Sequence, residues 1–134
     1  MSAPKVSTDI RNYIVNTLGI TPVTIDTMSS SPISQYAVIQ YDGMLVKTHG
    51  GALATDKGNV LDEVKIQIMH RNATIQTARD NLLVIVDALD GLQDFTISSR
   101  QYTYISGNGP VKLLDKSEQG DATFIWECTV QSRR

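Results

Sequence analysis

Apolar and polar residues alternate most regularly in two stretches, Val60 to His70 and Ala122 to Val130, with a helical pattern from about Asn72 to Asp90 between them. In the first stretch Val60, Val64, Ile66 and Ile68 point one way, and Glu63, Lys65, Gln67 and Arg71 the other. That period of two is the mark of a half-buried strand. Asp62 interrupts the apolar side, so the ordered strand is expected to begin at Glu63. In the last stretch Ala122, Phe124, Trp126, Cys128 and Val130 alternate with Thr123, Glu127, Thr129 and Gln131. Ile125 is apolar on the polar side, either covered by a neighbouring subunit or simply exposed. Between the strands, Ile75, Ala78, Leu82, Ile85 and Leu89 recur at helical spacing, with Val86 widening the stripe, so this helix needs a sheet to cover it. Asn72 is the expected cap, Gly91 the left-handed terminator, and Leu92 suits a Schellman closure.

The remaining elements are shorter. Ser7 can cap a first helix running to about Leu18 and stopping at Gly19, with Ile10, Ile14 and Leu18 on one face and Asp9 in the first turn. Pro22 ends it, Val23 to Asp26 reads as a short strand, and Met28 to Pro32 as a serine-rich loop. Tyr36 to Tyr41 is a strand closed by the turn pair Asp42-Gly43. Met44 to Asn59, with glycines at 50, 51 and 58, reads as a long irregular loop, and a loop of that length is disordered or functional. Past the central helix, Phe95 to Ser98, Gln101 to Ser106 and Val111 to Leu114 read as strands, with turns at Gly107 to Pro110 and Asp115 to Gly120. These elements define a single α+β domain over residues 1–134. Its sheet is mixed or mainly antiparallel, with two helices on one face.

Composition narrows the function by exclusion. The chain has 134 residues, enough to bury a core without a disulfide or metal. Twelve basic and fourteen acidic side chains give a net charge of −2, and the basic ones are scattered except for Arg133-Arg134. A nucleic-acid reader demands a clustered basic face. One cysteine, Cys128, forbids an internal disulfide and fits a reducing compartment. The N-terminal Met-Ser-Ala-Pro-Lys lacks the apolar run of a signal peptide, and Leu82 to Val86 is too short to span a bilayer. A soluble protein, cytoplasmic where it is made, is the expectation.

No catalytic constellation accompanies this scaffold. His49 and His70 are the only histidines and do not share a ligand spacing with Cys128, so no metal is expected. Cys128 alternates with core residues, which suits a buried thiol rather than a nucleophile. The Gly50-Gly51 and Lys57-Gly58 pairs lack the ending of a phosphate-binding loop. Asp87, Asp90 and Asp94 gather near a helix end, either as a solvated terminus or as an acidic rim for a basic partner or divalent ion. Tyr102 and Tyr104 are expected on one strand face, where packing suits them better than base stacking. No cofactor is implied.

The strand Val64-Lys-Ile-Gln-Ile-Met-His-Arg71, the helix end Asp87-Ala-Leu-Asp-Gly-Leu92 and the closing segment from Gly109-Pro-Val-Lys-Leu-Leu-Asp115 to Phe124–Arg134 resemble the tail terminator proteins of long-tailed bacteriophages. That resemblance implies a structural, non-enzymatic virion protein of the phage neck, assembled in the host cytoplasm. Its partners would be copies of itself in a ring, six in that family, then the tail tube protein and the head–tail connector. DNA would pass through the lumen without sequence readout, with no membrane involved. A ring needs a heterologous interface between two different faces. Lys47, His49, Leu53 and Lys57 in the long loop, with Arg133 and Arg134, are the candidate contact residues. A head completion or head–tail joining protein is the nearest alternative. A small cytoplasmic enzyme using His49, or Asp87 and Asp90, is a more distant one.

Overall fold

The computed structural model describes residues 6–41, 45–48 and 60–133. In chain order the elements are α1 (Val6–Asn16), β1 (Val23–Ile25), β2 (Gln35–Gln40), β3 (Leu45–Thr48), β4 (Val60–Asn72), α2 (Ile75–Leu89), β5 (Gln93–Ile97), β6 (Arg100–Gly107), β7 (Lys112–Lys116) and β8 (Ala122–Arg133). The strands form one sheet of order β1-β2-β4-β8-β6-β5, with β3 also pairing β4 and β7 also pairing β8. Among the described strands only β1 and β2 run parallel. The α+β class, the mixed sheet and the two helices on one face all match the sequence-based expectation.

The two long alternating segments form the centre of the sheet. β4 and β8 pair antiparallel from Leu61↔Arg133 to Asn72↔Ala122. Directly opposed residues share a face, so Val64, Ile66, Ile68 and His70 lie beside Val130, Cys128, Trp126 and Phe124. All eight are buried. α2 covers this face with Ala78, Leu82, Ile85 and Leu89, and α1 adds Val6, Ile10 and Ile14. Each fully buried large aliphatic contributes roughly 1.5–3 kcal/mol, whereas a helix of fifteen residues is marginal by itself. Burial against the sheet therefore holds α2 in place.

Several boundaries move, each for a physical reason. α1 already includes Val6, so Ser7 is a buried helix residue and not its cap. β4 begins at Val60, because β3 supplies a ladder for its first residues (Leu45↔Glu63 to Thr48↔Val60) beyond the point where β2 ends opposite Ile66. Part of the presumed irregular loop is thus strand. Asn72 still pairs with Ala122, so the cap passes to Thr74, whose side chain accepts from the Thr77 N–H at 3.2 Å. Gly91 does adopt positive φ, but its N–H donates to the Ile105 carbonyl at 2.9 Å, which stitches the helix exit to β6 in place of a Schellman closure. Tyr102 opposes Ser132 whereas Tyr104 opposes Gln131, so a bulge at Thr103 puts the two tyrosines on opposite faces. Ile125 is buried within the chain, in neither of the situations expected for it. The turn at Asp42-Gly43 lies outside the described residues.

Candidate interaction surfaces

The loop entering β2 is shaped by two side chains that project from the outer face of the sheet. Gln35 and Arg71 are opposed in the ladder, and both turn their polar groups onto residues 29–33. The buried Gln35 carboxamide accepts from the Ser29 N–H at 2.9 Å, donates to the Ser29 carbonyl at 2.9 Å and bonds the Pro32 carbonyl. Arg71 donates from Nε to the Ile33 carbonyl at 3.0 Å and from its terminal nitrogen to those of Ser29 and Pro32, at 2.6 and 3.0 Å. Carbonyls that water would otherwise satisfy are held by protein. The result is a fixed, hydroxyl-rich loop that presents Ile33 at 45% exposure.

Edge strands are the second kind of surface, because an edge offers unpaired backbone groups to a partner. The Val23 carbonyl of β1 accepts from Arg11 Nε at 3.0 Å, and α1 packs over that strand. β5 is touched by α1 as well and carries Asp94 at φ 51°, which breaks its template. Its hairpin to β6 turns through Ser98 and Ser99, both at positive φ, the geometry of a two-residue turn. β7 differs: among the described residues it pairs β8 alone, every residue of it is exposed, and Leu113 and Leu114 stand at 49% and 55% exposure.

Several buried polar groups are bonded within the fold, although Arg100 Nε and Ser132 Oγ have no hydrogen-bond partner among the described residues. The Tyr102 hydroxyl donates to Asp9 Oδ2 at 2.5 Å, and Arg100 Nε lies 3.4 Å from the same oxygen. Burial, with the hydrogen bond and charge of Asp9, pushes the Tyr102 hydroxyl well above its usual pKa. His70 Nδ1 lies 2.9 Å from the Gln35 carbonyl and Nε2 faces the amides of Asn72 and Asn81, so the neutral Nδ1–H tautomer fits. Its ring stacks on Tyr36 at 3.8 Å, and burial holds its pKa below 6.5. Burial also pushes the Cys128 thiol up to about 12. No group of three or more His, Cys, Asp or Glu side chains that could hold a metal occurs among the described residues.

Asp90 accepts from the Gly107 N–H at 2.8 Å, so one member of the presumed acidic rim anchors α2 to the end of β6. A groove of about 280 Å³ lies between α1 and β5, lined by Asn12, Tyr13, Asn16, Thr17, Thr96, Ile97 and Ser98, with no acid, base or thiol among them. Among the described residues no helix is long and apolar enough to cross a membrane.

Of the residues nominated from sequence, His49, Leu53, Lys57 and Arg134 lie outside the described residues. Lys47 and Arg133 are described by backbone alone: Lys47 belongs to β3 and not to a loop, opposite Leu61, and Arg133 ends β8 opposite the same residue. Gln35, Ile33 and Leu114 were not nominated. Leu113-Leu114 did carry a signal, since two adjacent apolar residues in one strand cannot face the same side. Gln35 carried none, because its partners are backbone carbonyls six or fewer residues away that any side chain could face.

The structure defines an α+β domain with exposed apolar residues at Ile33 before β2 and at Leu113 and Leu114 on β7. No protein-family model and no curated protein matches the sequence. Among solved structures, the chain is similar to one in the virion of a native gene transfer agent particle. The TM-score is 0.62 at 14% identity, and the match covers 96% of this chain and 95% of the other. At that identity the likeness establishes a shared fold.

Proposed function

We propose that this protein is a structural component of a phage-type virion, acting as the tail terminator. Copies of it close into a ring on the last layer of the tail tube, stop tube growth and present a docking surface to the head connector. The observation that carries this reading is the fold likeness to a virion chain, which spans nearly all of both chains. The tail-terminator resemblance of Val64–Arg71, Asp87–Leu92 and Gly109–Arg134 adds to it. The near-neutral charge suits a conduit through which DNA must slide without being held.

Mixing the purified protein with polymerising tail-tube subunits tests the reading. A terminator shortens or caps the tubes in proportion to its concentration, visible as a ring of density at one end by electron microscopy. Tubes of unchanged length and bare ends overturn it. Loss of head attachment on tails of normal length would instead identify a head–tail joining protein.

A further inference from the structure

We infer that a second copy of this chain pairs with the β7 edge, antiparallel and across a two-fold axis normal to the sheet. The inference goes beyond the ring reading and does not depend on it. β6 and β7 lie end to end on the flank of β8 away from β4, β7 opposite Ala122–Ile125. The next column outward holds β5, which starts opposite Tyr104 at the level of Gln131. Among the described residues no strand fills that column beside β7, whose five residues are all exposed. Such an edge offers a row of backbone donors and acceptors to another strand.

The side chains decide which strand fits. Opposed residues lie on one face, so Lys112, opposite Ile125, and Asp115, opposite Thr123, share the face of the sheet away from the helices. In a regular strand, residues three apart would lie on opposite faces. The bulge at Leu114 removes that difference and leaves Leu113 and Leu114 together opposite Phe124. A two-fold normal to the sheet keeps each residue on its own face. Placing Lys112 opposite Asp115 of the second copy therefore forms the same ion pair twice. It also sets Leu113 against Leu114 of the second copy, again twice, and these side chains are about half exposed in the single chain, at 49% and 55%. The paired charges cancel, and Lys116 falls opposite Val111, clear of both ion pairs. Lysines and bulges ordinarily guard an edge against pairing. Here the bulge is what makes the edge complementary to itself, as a two-fold dimer requires.

Five residues make a small contact, so a dissociation constant between about 1 μM and about 1 mM is expected. Sedimentation equilibrium of the full chain should show its mass doubling over that range. Lys112→Asp and Asp115→Lys each set like charges opposite one another twice. Each should weaken pairing about tenfold or more, with circular dichroism unchanged. The double variant Lys112→Asp/Asp115→Lys restores opposite charges and should pair as the natural chain does. An equimolar mixture of the two single variants should pair too, because each supplies the charge the other lacks. A natural chain whose mass has not begun to double by about 1 mM overturns the proposal. So do single variants that pair as tightly as the natural chain, and so does failure of the double variant or of the mixture to recover. None of these outcomes bears on tube capping, so this contact and the terminator reading fail separately.

Discussion

His70 shows how one side chain takes its role from what surrounds it. In sequence it is a histidine at the end of a strand, open to solvent or to a metal. In the fold it is stacked on Tyr36, bonded to the Gln35 carbonyl and faced by two amides. Its folded pKa lies below the unfolded value of 6.5 because burial disfavours the imidazolium. The unfolded chain therefore binds the extra proton first. This group's contribution is complete above pH 6.5 and declines as the pH falls from there toward its folded pKa. Urea midpoints measured from pH 7.5 to 5 should drop on the acid side, and His70→Gln should flatten that drop. Carboxylates titrate lower, so a slope unchanged by His70→Gln would assign the loss to another group. The sequence showed that His70 sits in a strand. It could not show that residues 35, 36 and 81 would close around it, because those contacts depend on pairing across 11 to 35 positions.

At the scale of elements, period and packing diverge at instructive places. The alternation in β4 and β8 predicts their faces correctly because each pairs along its whole length and burial on one side tolerates no slip. The same rule fails for Tyr102 and Tyr104, where one extra residue at Thr103 reverses the outward set. Gly107 marks another limit. A Cβ there would sit 3.0 Å from Nε1 of Trp126, a fully buried ring. Gly107→Ala must displace the indole, at a cost of about 1–3 kcal/mol. The expected result is a lowered urea midpoint with a shifted tryptophan emission. An unchanged midpoint would mean the ring has room to move. The sequence offered this glycine only as part of a turn, since the close approach involves a strand nineteen positions away.

Across the whole molecule, α1 connects the two ends of the sheet. It packs on β1 and β2 at one end and touches β5 at the other, which a flat sheet of this strand order could not allow. The Asp9–Tyr102 hydrogen bond, with Arg100 beside it, secures that bridge across 93 residues of sequence. Tyr102→Phe leaves the Asp9 carboxylate buried with one donor fewer, which should cost about 1–3 kcal/mol. Amide exchange should then quicken in β1 and β5 together while β4 and β8 stay protected. Faster exchange confined to β6 would show that the bridge does not depend on this bond. The asymmetry between flanks also appears only at this scale. α1 and Arg11 close the β1 edge, while among the described residues nothing pairs with the far side of β7 and its leucines are exposed.

The amino-acid order alone determined most element types, though not β3, together with the buried face of β4, α2 and β8, the near-neutral charge balance and the lack of a catalytic spacing. These follow from periodicity and composition, which act over a few residues at a time. Tertiary structure decided where the helices are capped, which strands become edges, how Gln35 and Arg71 shape the loop before β2, and which apolar residues remain outside. Each of those depends on groups brought together by strand pairing, and no local pattern encodes which distant backbone will arrive to satisfy a given side chain.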